Sequence, residues 1–192
     1  MVYIKNKINK KFGKFIAFAG ILLMVISLSI LGYDFCKDVK AKIASDDLVE
    51  EIYDKLSNKE NKSNILKINN EEYLGIINIP DIGVELPVAN TYSFEKLDYS
   101  PAVYSGSIET NDLVICAHNG RAHFANLKKL NPKDKIIIID ANNNKYVYEV
   151  CEIIITKPYE IEKMINSEFD LTLFTCTFKG VARLTVRCNR IS

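Results

Sequence analysis

From Phe15 to Tyr33 the chain carries no charged residue (FIAFAGILLMVISLSILGY), and this run constrains its architecture more than any other feature. At 1.5 Å per residue, a helix over those positions crosses a hydrocarbon core of about 30 Å. The run therefore predicts a transmembrane helix. Lys5, Lys7, Lys10, Lys11 and Lys14 precede it and Asp34 follows at once, so the positive-inside rule leaves the N-terminus in the cytoplasm and everything after Tyr33 outside. A cleaved signal peptide is the alternative, but the run is longer than an ordinary signal core and no small-x-small cleavage site follows it. Under either reading the remainder is exported. The expected layout is a basic cytoplasmic tail at 1–14, a single-pass cell-membrane anchor at 15–33, a juxtamembrane helix and linker at 34–72, and one folded domain at 73–192.

Charge narrows the partners. Lys and Arg number 25 against 24 Asp and Glu, a net charge of +1, which is not the basic excess that nucleic-acid binding requires. No nucleic-acid partner is expected. Cys36, Cys116, Cys151, Cys176 and Cys188 form an odd set without a CxxC pair, so neither a zinc ribbon nor a thioredoxin-type motif has support and at least one thiol is left over.

Residues 34–57 are charged and helix-favouring, with Val39, Ile43, Leu48, Ile52 and Leu56 falling roughly on one face. The polar stretch 58–64 (NKENKSN) reads as a linker. Beyond it the pattern turns to short β-type runs. GIINI and VELPVA flank Pro80-Asp81-Ile82-Gly83, a hairpin signal, and DLVICAHN at 112–119 is a nearly continuous apolar strand. RAHFANLKKLN predicts a short helix with Phe124, Leu127 and Leu130 inward and His123 at the surface. KIIIID and KYVYEVCEIII flank an Asn142-Asn143-Asn144 turn, and DLTLFTCT and ARLTVRCNR are joined at Gly180. The domain is mostly β, most simply a closed or semi-closed barrel with short helices.

Two histidines are available as neutral-pH bases, His118 and His123, and His118 ends a strand. Cys176 likewise closes a strand, where a side chain can emerge into a cleft. Strand alternation puts Arg183, Thr185 and Arg187 on one face of the last run, with Leu184, Val186 and Cys188 on the other. A guanidinium near a cysteine can hold a substrate carbonyl or the oxyanion formed when a thiolate attacks it. Taken singly these residues have plainer explanations: a strand cysteine is ordinarily a small core residue, which suits Cys116, Cys151 and Cys188, and a strand histidine or arginine is ordinarily structural or solvated.

Together they resemble a known set. Leu173-Phe174-Thr175-Cys176 is similar to the Leu-x-Thr-Cys strand of the sortases, the cysteine transpeptidases of the Gram-positive surface. Ala117-His118-Asn119 resembles their His motif, with Ala117 where Gly is frequent, and Arg183-Leu184-Thr185-Val186 their Arg-bearing last strand. YLGIINIPDIGVELPV resembles the opening hairpin, so the likeness runs from about Tyr73 to Ser192. It implies an eight-stranded sortase-type β-barrel in which Cys176 is the nucleophile, His118 the general acid and base, and Arg183 the oxyanion-stabilising cation. Arg183 stands seven positions after Cys176, short for the family, so Arg187 is the alternative arginine. The implied substrate is an LPxTG-like sorting signal passed to an amine on a peptidoglycan precursor or another protein. The connection with Tyr159, Ile161, Met164 and Ile165 would read that signal. No lid segment or second membrane helix is recognised, which favours wall attachment over pilus building. Glu109, Asp112 and Glu160 are too scattered for a calcium site, and neither metal nor other cofactor is expected. A hydrolytic cysteine peptidase and a non-catalytic anchored barrel are the competing readings.

Overall fold

The computed structural model describes residues 10–58, 63–165, 167–177 and 180–192, with side chains from Phe12 onward. Residues 1–9 of the basic tail and 59–62 of the linker lie outside the described residues. The chain begins with α1 (Lys10–Ser57), one continuous helix rather than an anchor followed by separate pieces. Contacts divide the protein into two units, Met1–Val39 and Lys40–Ser192.

The first unit is the apolar part of α1. Its most apolar stretch has a mean hydropathy of 2.6 and none of it is buried, with Phe15, Ile21, Leu23 and Leu31 all exposed. Large apolar side chains left bare along a helix of this length are compatible with a single-pass membrane anchor.

The second unit starts earlier than Tyr73 because the end of α1 packs into it. Ser45, Val49, Ile52 and Leu56 are buried, and their 4-3-4 spacing is one stripe of a 3.6-residue helix. Val39 and Ile43, expected on the same face, are exposed. Among the described residues nine strands follow: β1 (Leu66–Ile68), β2 (Glu71–Ile79), β3 (Val84–Ala89), β4 (Ala102–Ser105), β5 (Leu113–Ala117), β6 (Lys135–Asp140), β7 (Lys145–Thr156), β8 (Leu171–Cys176) and β9 (Arg183–Arg190), with a single helical turn α2 (Glu162–Ile165) before β8. Eight of them close in the order β2-β3-β4-β5-β8-β9-β7-β6, with β6 pairing back onto β2, and β1 adds to the free part of β2. The expected closed eight-stranded barrel is the fold.

Closure depends on Gly75. It pairs with Val88 on one side and Asp140 on the other, at φ 150°, and a Cβ there would stand 1.9 Å from the Ile139 carbonyl oxygen. Only a residue without Cβ lets the two strands meet.

Alternation assigns each strand an inner and an outer face. Leu113, Ile115 and Ala117 of β5, Leu171 and Leu173 of β8, and Val186 and Cys188 of β9 fill the barrel core. Val114, Cys116 and Phe174 point outward into a second apolar cluster, which also takes Val49, Ile52 and Leu56 from α1 and Met164 from α2. Outer positions are therefore covered by loops and a helix, and a site can form between sheet and cover. Three sequence expectations change here. The 124–129 element is a 3-10 helix, as the strict three-residue spacing of Phe124, Leu127 and Leu130 suits, and His123 is buried rather than exposed, with its Nε2 3.3 Å from the Asp98 carbonyl oxygen. Cys151, expected in the core, sits at the register shift between Val150 and Glu152 and is exposed, because a bulge turns the next side chain to the other face.

Candidate active site

The parallel pairing of β5 with β8 brings two distant segments to one end of the sheet. Ala117 is matched with Thr175, and the Thr175 hydroxyl donates to the Ala117 carbonyl at 2.8 Å, so the next residues, His118 and Cys176, leave adjacent strands at the same level. Both keep the outward parity of Cys116 and Phe174. On the far side of β8 the antiparallel partner of Cys176 is Arg183. Three neighbouring strands thus contribute one residue each, and all three line a single cavity of about 200 Å³.

Arg187 lies elsewhere. Its strand partner on β8 is Thr172, and its guanidinium donates to Glu152 Oε1 at 2.7 Å and to the Lys163 carbonyl at 2.6 Å. The Arg183 guanidinium is held by the residues just before it, with Nη1 3.3 Å from the Ala182 carbonyl and 3.4 Å from that of Gly180. Gly180 has φ 69° and donates its N–H to the Thr177 carbonyl at 2.8 Å, and the Thr177 N–H reaches the Ala182 carbonyl at 2.9 Å, so the ends of β8 and β9 are tied together beside the Cys176–Arg183 pair.

The cavity walls are mostly apolar. Phe174 and Tyr104 meet edge to face with centroids 5.2 Å apart, Tyr104 meets Tyr92 at 5.6 Å, and Leu97, Ile161 and Met164 also line the cavity. Apolar walls with a few convergent polar groups are the usual make-up of a ligand site. Sequence reasoning missed the segment between β3 and β4, which folds across His118. Phe94 packs edge-on against the imidazole at 5.5 Å, and Asp98 Oδ1 stands 3.8 Å from His118 Nε2. The segment is pinned by the Lys96–Glu71 ion pair at 2.5 Å and the Ala89 N–H bond to Pro101. Its signal was three aromatic residues, Tyr92, Phe94 and Tyr99, in a stretch with neither strand nor helix period.

The remaining thiols differ sharply in setting. Burial pushes the Cys116 thiol up to about 12, and burial likewise raises Cys188; a thiolate is the nucleophilic form, so these two are inert core residues. Cys176 is partly exposed at the cavity. The Glu160 carboxylate accepts from the Lys163 ammonium and the Lys157 N–H, and that of Asp112 from the Ser107 N–H and the Thr110 hydroxyl.

No curated protein matches the chain. Among solved structures, it is similar to sortase C from Clostridium perfringens, determined with the C-terminal cell wall sorting motif, at 26% identity over 77% of this chain and 91% of that one, with a TM-score of 0.55. Sortase C1 from Streptococcus agalactiae is 28% identical over 72% and 75% of the two chains, with a TM-score of 0.57. Sortase A from Corynebacterium diphtheriae is 27% identical over 64% and 62%, with a TM-score of 0.56. The likeness therefore crosses subclasses and selects none. The family model for the Sortase domain matches residues 77–191, a span that holds the barrel from within β2 to the end of β9 together with His118, Cys176 and Arg183, and the chain belongs to the sortase family.

Proposed function

We propose that this protein is a membrane-anchored cysteine transpeptidase that cleaves an LPxTG-like sorting signal and transfers the released acyl group to an amine on the cell wall or on another protein. The observation that carries the reading is the pairing of Cys176 with Arg183 across β8 and β9, with His118 just past the end of β5 and all three at one cavity.

The Cys176 sulfur, as thiolate, attacks the carbonyl carbon of the scissile peptide bond, and the carbonyl electron pair moves onto oxygen. Arg183 faces that developing oxyanion and donates to it. The tetrahedral intermediate collapses, the C–N bond breaks, and protonated His118 gives its proton to the leaving amine, leaving a thioester on Cys176. An incoming amine then loses a proton to His118 and attacks the thioester. The new amide forms and the thiolate leaves. The apolar walls of the cavity and the aromatic cover exclude water, which favours amine over hydrolysis. In this reading α1 spans the membrane with its lysine-rich end in the cytoplasm, and the barrel works outside it. Support for the peptide partner comes from the Clostridium perfringens sortase C solved with its sorting motif.

The test is incubation of the full chain, in detergent, with LPxTG-type peptides and an added amine, followed by mass spectrometry. The expected outcome is a thioester on Cys176 and an amide product, both lost in Cys176→Ala. Hydrolysed peptide without amide would replace the reading with a hydrolytic peptidase, and absence of any Cys176 adduct would leave a binding barrel.

A further inference from the structure

We propose that Arg187 is a positioning residue that sets recognition of the sorting signal by clamping the loop between β7 and β8 against the sheet; this rests on the cavity being the sorting-signal site. Arg187 lies on the outer face of β9, in the same row as Arg183, and its side chain is 15% exposed. On β7 its direct register partner is Glu152, whose carboxylate accepts from Nη1 at 2.7 Å. The other arm of the fork, Nη2, donates to the carbonyl of Lys163 at 2.6 Å, and the guanidinium lies over the Phe169 ring, 5.4 Å from its centroid. The planar fork thus joins two strands to a loop, a geometry that suits Arg and that a lysine ammonium cannot reproduce.

Lys163 belongs to α2, a single turn whose carbonyls lack helical partners. The next residue, Met164, is buried and lines the cavity, as does Ile161. The other hydrogen bonds of 157–165 are largely internal. Glu160 accepts from the Lys157 N–H and from the Lys163 ammonium, and the N–H groups of Met164 and Ile165 both reach the Ile161 carbonyl. The segment is folded on itself. Among the described residues, its charged tie to the barrel is Arg187. Loosening that tie moves one wall of the cavity and leaves the Cys176–Arg183 pairing in place, so the loss falls on peptide binding and not on the chemical step.

The experiment uses the full chain in detergent micelles and compares the wild type with Arg187→Gln, Arg187→Lys and Glu152→Gln. Hydrogen exchange at the Met164 and Ile165 amides is read without substrate, and kcat and KM are read with an LPxTG-type peptide. Arg187→Gln is expected to speed exchange at those amides about tenfold and to raise KM about tenfold while kcat holds. Arg187→Lys should recover part of both, and Glu152→Gln should give a smaller change in the same direction. Unchanged loop exchange, or a fall in kcat at constant KM, overturns the proposal. Should Arg187→Gln fail to fold, the other two variants decide it by the same readouts. A wild type that turns over no sorting-signal peptide removes the functional reading, and the exchange data then still decide whether Arg187 holds the loop.

Discussion

Arg183 is the cross-strand partner of Cys176, whereas Arg187, on the same face of the same strand, is paired with Thr172 and spends its guanidinium on Glu152 and Lys163. Two arginines four residues apart therefore occupy different environments. Arg183→Ala is expected to lower kcat/KM on a sorting-signal peptide by about 10²–10³, the usual effect of removing one oxyanion donor. A steady-state comparison with Arg187→Ala checks it: a larger kcat loss in the Arg187 variant would reverse the two roles.

The five cysteines divide by access. Cys116 and Cys188 are buried, with their thiols pushed up by desolvation, while Cys36 and Cys151 are exposed and Cys176 is partly exposed. Alkylation of the native protein near neutral pH, mapped by mass spectrometry, should label those three and spare Cys116 and Cys188 until the fold is lost. Labelling of Cys188 in the native state would contradict the packing described here.

Barrel closure makes Gly75 costly to replace. Gly75→Ala drives a Cβ into the Ile139 carbonyl and should cost about 3 kcal/mol, or roughly 6–12 °C in Tm. Gly83→Ala is the control, since φ there is 63° but nothing lies within 4 Å of its added Cβ; only the left-handed strain remains, about 1 kcal/mol. Thermal denaturation of both variants checks the contrast, and equal losses would argue against the seam as the cause.

Acid should weaken the loop ahead of β5. The hydrogen bond from the Thr110 hydroxyl, and then the Ser107 N–H, hold the Asp112 carboxyl below its ordinary value. A depressed folded-state pKa stabilises the protein above the unfolded value of about 3.9 and loses that contribution as pH falls through the folded one. Wild type should therefore exceed Asp112→Asn in Tm at pH 7, and the gap should narrow below about pH 4. A gap that widens on acidification would refute the assignment.

Much of this was written in local pattern. The uncharged run from Phe15 to Tyr33 needs no tertiary contact to declare itself, because bilayer thickness alone sets its length. Period-2 alternation named the outer row of β9 correctly, since the pleat is a property of the strand itself. The buried His123 and the exposed Cys151 were not legible: the first depends on the segment between β3 and β4 covering it, the second on a bulge whose position is set by pairing with β9. The stripe of α1 that is buried, Ser45 to Leu56, was blurred for the same reason, as both faces offered apolar residues and only the barrel selected one.

The apolar helix, most of the strands, the two faces of β9 and the short motifs around His118, Cys176 and Arg183 were legible along the chain, whereas β1 and β4 were not. The tertiary structure decided which of these meet. His118 and Cys176 are far apart along the chain, and only the parallel register of β5 and β8 brings them level. Which of Arg183 and Arg187 lies opposite Cys176 is set by the antiparallel pairing of β8 with β9. Spacing along one strand fixes a face, but which residue lies opposite is a property of two strands and the turn between them.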